Sequence, residues 1–125
     1  MRAAVTFPLV TLAVTLATGL ACPDAQAARR VPGGDAALGR VALRQFGCGT
    51  CHVIPGVALA RGFTGPSLDR FARRVYVAGK WPNNPEVLIR FIVDPPAMEP
   101  RTAMPAVGVS LTEARDIAAY LYSLE

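Results

Sequence analysis

Cys48-Gly49-Thr50-Cys51-His52 gathers the sole histidine of the chain and two of its three cysteines into one short run. Thiols three positions apart stand about one helical turn from each other. That spacing lets both add to the two vinyl groups along one edge of a porphyrin. The imidazole immediately after the second thiol then falls beneath the ring, with Nε2 directed at the iron. C-x-x-C-H is accordingly the pattern of covalent haem c attachment, and Gly47 and Gly49 are expected to keep the adjoining backbone small. Three other chemistries compete for these residues. A redox-active C-x-x-C belongs in a βαβ setting, and no alternation of strand and helix surrounds this one. A structural zinc site uses four ligands, usually as two spaced pairs, and the sequence offers no second pair. A plain disulfide leaves His52 without a role. The expected cofactor is therefore one covalent haem c, held by Cys48 and Cys51, with His52 as a metal ligand.

With no second histidine, the opposite axial position falls to another residue type. Methionine supplies a soft neutral donor that raises the potential and suits electron transfer. Met104, in Thr102-Ala103-Met104-Pro105, sits in a stretch without helical period just ahead of a terminal helix. Such a segment can hang a sulfur over the far side of a ring. Met104 is the expected metal ligand; Met98, in Pro95-Pro96-Ala97-Met98-Glu99-Pro100, is the alternative, and each could instead serve as core filler.

The elements that must position these groups are read as helices. Asp35 caps a helix over 36–47, with Gly39, Ala42, Leu43 and Phe46 on one face. A glycine on that face costs about 1 kcal/mol of propensity, so its use is to admit a close neighbour, expected to be the last helix. Ser110-Leu111-Thr112-Glu113 is a capping box opening a helix to about 124, with Ile117, Tyr120, Leu121 and Leu124 as its apolar face. Between them, Ser67 caps a short helix over 68–74. Asn84 caps another with Pro85 in its first turn, carrying Val87, Leu88, Phe91 and Ile92 and ending at Asp94-Pro95-Pro96. No run alternates in hydrophobicity, so no sheet is expected. The fold class is all-α, about four helices, with eleven prolines and eleven glycines suited to loops wrapped around a rigid disc.

Residues 1–27 read as a signal peptide. Arg2 precedes an uncharged run to Ala21, and Ala25-Gln26-Ala27 is a small-x-small cleavage pattern. A retained membrane anchor is the alternative, since an uncharged run of this length can span a bilayer, but four threonines, Pro8 and Gly19 make a poor span. Lipoprotein signals favour leucine three residues before the cysteine. Gly19 stands there before Cys22, so Cys22 is expected to leave with the signal. Cleavage removes one base and one acid and leaves a domain at 28–125 with the net charge still +4. The basic residues are scattered, without the stripe and interleaved aromatics of a nucleic-acid surface, and no nucleic-acid partner is expected.

Over nearly all of 28–125 the chain resembles a class I cytochrome c. The likeness rests on an amino-terminal helix, Cys48 to His52, Gly65-Pro66, Met104 and a closing helix with Tyr120. The resemblance implies that the Pro66 carbonyl accepts a hydrogen bond from His52 Nδ1, fixing the ring; an ordinary turn is the plain reading of Gly65-Pro66. From Trp81 to Leu124 the chain is similar to the cytochrome c domain fused to subunit II of some haem-copper oxidases, through Pro82-Asn83-Asn84-Pro85-Glu86, Asp94-Pro95 and Met104-Pro105. Those domains carry Lys-Pro-Gly before the methionine loop, where this chain has Glu99-Pro100-Arg101. The difference bears on the docking surface. By the same resemblance Trp81 hydrogen-bonds a haem propionate, the alternative being a partly buried aromatic. The implied function is a periplasmic carrier of single electrons rather than an enzyme, a monomer exchanging with redox proteins such as an oxidase or dehydrogenase. A membrane-tethered or complex-bound cytochrome c subunit, and an open-site haem gas sensor, are the competing readings.

Overall fold

The computed structural model describes residues 30–125, so the segment 1–27 read as a signal peptide lies outside the described residues. The chain is mostly helical: α1 spans Ala36–Gln45, α2 Pro85–Val93, α3 Pro95–Met98 and α4 Leu111–Tyr122. Single 3-10 turns occupy Cys48–Thr50 and Phe71–Arg73.

Helix α1 starts where expected because Asp35 Oδ1 accepts the amides of Ala37 and Leu38, at 2.7 and 3.1 Å. It stops two residues earlier than read, because Gly47 turns the chain into the left-handed region at φ +68°. At the start of α4, Ser110 Oγ accepts Glu113 N–H at 3.3 Å while Glu113 accepts the Ser110 amide at 2.9 Å and its hydroxyl at 2.6 Å. The hydroxyl and amide of Ser110 hold the Glu113 carboxyl below the usual carboxylate range.

Helix α1 packs along α4, and α2 also packs against α4. The α1–α4 crossing is closest at Gly39, where a Cβ would fall on the backbone of Asp116 and Ile117. Beside it, Asp116 is only 7% exposed, and its carboxylate accepts the Asp35 amide at 2.8 Å. A buried acid is tolerated here because it takes up a donor that the start of α1 would otherwise leave unpaired. Leu43, Ile54, Leu88, Ile117, Ala118 and Leu121 lie at the centre of the core.

Three expectations are corrected. First, there is a small sheet: β1 (Tyr76–Val77) pairs antiparallel with β2 (Trp81–Pro82). Strands of two residues are too short to display alternation. The turn between them relies on Ala78 and Gly79, both at positive φ. Second, the helix expected over 68–74 is only the 3-10 turn at Phe71–Arg73. Ser67 does accept the Asp69 amide at 3.2 Å, but Arg70 adopts φ +48° and breaks the helix before it starts. Third, Asp94 ends α2 and also caps α3, accepting Ala97 N–H at 3.2 Å. Pro95 and Pro96 occupy the first turn of α3, where a missing donor costs nothing, so Met98 closes a helical turn rather than lying in a loop. Among the described residues, no helix is long and apolar enough to cross a membrane.

Gly39→Ala sets about 1 kcal/mol of helix propensity gained against a methyl with no space in the α1–α4 crossing. The steric effect should win, lowering unfolding stability by about 1–3 kcal/mol with little change in denaturant slope. Chemical denaturation measures both quantities.

Candidate functional site

Gly47 ends α1 and starts the 3-10 turn that carries Cys48 and Cys51, so the helix delivers both thiols within a single turn. Both thiols are free and half-buried. Burial pushes the Cys48 thiol up from its ordinary range, against a smaller opposing effect of its backbone hydrogen bond. Thr50 Oγ1 donates to the Gly47 carbonyl at 2.8 Å, tightening the turn.

The chain then runs out through Ile54 and Val57 and returns alongside the turn. Gly62 N–H meets Gly49 O at 3.0 Å, Gly65 N–H meets Cys51 O at 2.8 Å, and Leu68 N–H meets Val53 O at 2.8 Å. The return needs small residues. A Cβ at Gly62 would fall on the Thr50 carbonyl, and one at Gly65 on the His52 imidazole. Gly49 is itself pressed against Ala60, its would-be Cβ 2.7 Å from the Ala60 Cβ. Sequence reading assigned roles to Gly47 and Gly49 but none of this kind to Gly62 or Gly65. Their signal was a Gly-x-x-Gly spacing that becomes meaningful only once the loop is known to fold back.

That return brings Pro66 to His52: the proline carbonyl lies 2.7 Å from Nδ1. A carbonyl only accepts, so the contact puts the ring proton on Nδ1 and leaves the Nε2 lone pair free. The loop is held from behind by Tyr120 of α4, whose hydroxyl donates to Pro55 O at 2.6 Å.

Trp81 and Met104 come from the other half of the chain. Both are half-buried and, like Cys48, pack against the common core. The buried Trp81 Nε1 has no hydrogen-bond partner, and Lys80 Nζ lies 5.1 Å from the centre of its ring. Asn83, singled out in sequence only as part of the Pro82–Glu86 pattern and given no role, ties the β hairpin down: its amide donates to Phe71 O and Arg74 O, at 3.3 and 3.0 Å, while its oxygen accepts from Tyr122 at 2.8 Å. Met104 N–H donates to Thr102 Oγ1 at 3.2 Å. Ahead of it, Glu99 accepts from Lys80 at 3.0 Å. The Lys80 hydrogen bond, followed by the Arg101 amide, holds the Glu99 carboxyl below the usual range. Met98 also packs against the core.

Among the described residues, no three His, Cys, Asp or Glu side chains cluster as a metal-holding group, so the four-donor set of a structural zinc site is not assembled. A separate cleft of about 740 Å³, lined by Val31, Gly34, Ala72, Ala119 and Tyr122 among others, contains none of the six sequence-predicted site residues.

No family model matches the chain. Over 88 residues, 70% of its length, the chain is 33% identical to cytochrome c oxidase subunit 2 of Alkalihalophilus pseudofirmus. The match takes in 25% of that protein, so the chain spans about a quarter of its relative's length.

Two substitutions test the support of His52. Gly65→Ala should push the imidazole off Pro66, seen by NMR as loss of the hydrogen-bonded Nδ1–H signal. Tyr120→Phe should lower stability by about 1 kcal/mol in denaturant unfolding while leaving that signal in place.

Proposed function

We propose that this chain is a c-type cytochrome that carries single electrons, with one haem c joined to Cys48 and Cys51 and ligated by His52 and Met104. The observation that carries the reading is the hydrogen bond from His52 Nδ1 to Pro66 O at 2.7 Å, one residue after two free thiols that share a turn. It orients an imidazole with its outer nitrogen unclaimed, as metal-ligating histidines require. The orphaned Trp81 Nε1 supports the same cofactor. A buried N–H without a partner is costly, and a propionate carboxylate is the acceptor it would take.

When bound, haem c supplies a one-electron ferric–ferrous couple; the remaining tasks belong to the chain. Cys48 and Cys51 are the residues that would hold the group: each S–H would add across one vinyl C=C, giving one C–S and one C–H bond. Pro66 fixes the His52 ring through Nδ1, so a metal held at Nε2 would meet the same imidazole orientation in either oxidation state. Met104 offers a soft neutral sulfur that favours the reduced state. Were His52 and Met104 both to hold the iron, they would leave no position open for a substrate or a gas, and that is what would set an electron carrier apart from an enzyme or gas sensor.

The partner-facing side follows from charge and exposure. Leu59 and Phe63 are 90% and 94% exposed in the loop that packs on the cysteine turn. No acidic residue occurs from 36 to 68, whereas Arg40, Arg44 and Arg61 do. Exposed apolar side chains on the loop that packs on the cysteine turn, in a stretch of sequence that carries bases and no acid, suit a brief encounter with a redox protein whose surface is apolar and acid-edged. The similarity to an oxidase subunit favours an oxidase as that protein, and the signal-like segment at 1–27 would send the chain to the periplasm. The same similarity supports a second reading, in which the chain works as a tethered or complex-bound subunit. Intact mass of the mature protein separates the two: loss of residues 1–27 fits the free carrier and retention fits the tether.

Expression with a haem-maturation system should yield a red protein that keeps its haem in denaturant. Replacing both Cys48 and Cys51 by alanine should abolish covalent haem staining. Met104→Ala should make the reduced protein bind carbon monoxide within mixing time, while the parent and Met98→Ala stay unreactive. Colourless parent protein from a competent maturation host would rule the proposal out.

A further inference from the structure

The two sides of the proposed metal site are anchored very differently. His52 sits inside a ladder of backbone hydrogen bonds between the cysteine turn and the returning loop. The segment that carries Met104 has mostly local bonds: Glu99 N–H to Pro95 O at 2.9 Å, Thr102 N–H to Glu99 O at 2.9 Å, and Met104 N–H to Thr102 Oγ1. Among the described residues, its hydrogen bond to a distant part of the chain is Lys80 Nζ to Glu99 Oε2, at 3.0 Å. The Glu99 side chain is 19% exposed and Lys80 is 58% exposed, so the carboxylate is partly withdrawn from water. Its second oxygen faces the Arg101 amide at 3.4 Å and the Arg101 guanidinium at 3.9 Å. Glu99 therefore closes the turn that leads to Thr102 and, through Thr102, to the Met104 amide. Lys80 in turn lies over the Trp81 ring, on the hairpin that Asn83 fastens to the core.

We propose that Lys80 and Glu99 are positioning residues: an ionic strap that seats the Met104 segment against the Trp81 hairpin and so keeps the Met104 sulfur on the metal. The inference rests on Met104 being a ligand and adds how this chain holds it there. An exposed ion pair contributes little to global stability, but a loop with few other distant ties depends on it locally. Breaking the strap should release the sulfur more often without unfolding the domain.

The test uses the mature, haem-loaded protein in its ferric form, with imidazole as a competitor for the methionine position. The near-infrared sulfur-to-iron absorption band reports Met104, and hydrogen exchange reports the Thr102 and Met104 amides. Glu99→Gln and Lys80→Met should each tighten imidazole binding about twofold to fivefold and speed exchange at those two amides, with helix content unchanged. The double variant should do no more than either single one, because both remove the same interaction. Lys80→Arg should keep the parent affinity. Additive effects, or parent-like imidazole affinity in both single variants, would overturn the strap while leaving Met104 ligation standing. A parent protein without the band would remove the ligation and the strap together. Lys80 is exposed enough that Lys80→Met reads the strap even where Glu99→Gln fails to fold.

Discussion

The crossing of α1 on α4 is the constraint from which the rest of the molecule is built. It depends on Gly39, which lets one helix backbone lie against the carbonyl of Asp116 on the other. It also depends on Asp116 itself, whose carboxylate pairs with the amide that begins the α1 cap. The steric and polar conditions reinforce each other. Close approach brings a buried carboxylate within reach of the Asp35 amide, and that bond offsets the cost of burying the acid. Once the crossing is made, α1 can end only where Gly47 turns the chain, and the Cys48–Thr50 turn follows at once. Helix α4 and the residues just after it then hold the remaining segments: Tyr120 secures the loop after His52, Tyr122 secures Asn83 beneath the hairpin, and past the helix end Leu124 O accepts the Ala72 amide at 3.0 Å.

What was legible in the sequence is what local chemistry decides. The caps at Asp35, Asn84 and Ser110 read correctly because each depends on a side chain and amides two or three residues away. The face of α1 read correctly because a glycine at an otherwise apolar position has few uses besides close packing. The errors fall where distant or unusual backbone decides. Nothing in Ser67-Leu68-Asp69-Arg70 announces that Arg70 will turn left-handed. A hairpin with two-residue strands has no periodicity to display. The pair Pro95-Pro96, which ends one helix by steric exclusion, supplies the first turn of the next because Asp94 can cap in either sense.

The site shows the same division. The motif from Cys48 to His52 declares itself by residue type and spacing, since those residues must meet one another within a turn. Pro66 needed a family resemblance to be singled out, because its contact with His52 depends on the intervening residues folding back. The glycines that permit this, Gly62 and Gly65, cannot be told apart from turn glycines until the neighbour each would strike is known. Glu99 stood out in sequence as a departure from a pattern, a change of charge with consequences assumed to lie at the surface. Its pairing with Lys80 across the chain gives that departure an internal role.

A difference in anchoring between the two halves of the proposed site is what a domain of this size can sustain. About a hundred residues form one core, in which α1 packs along α4 and the loop after His52 is tied to α4 through Tyr120. The His52 side inherits that rigidity directly, through the Gly47 turn and Tyr120. The segment from Glu99 to Val109 lies between two helices whose own ends are well capped, and only Val109 within it is buried. It cannot draw on the core to the same degree, so its position has to come from polar contacts at the rim. Such contacts are weak singly, and their effect is concentrated wherever few others act. Sequence change at the rim can therefore alter how firmly the methionine is held while leaving the fold untouched, whereas change near Gly39 or Gly65 reaches the fold first.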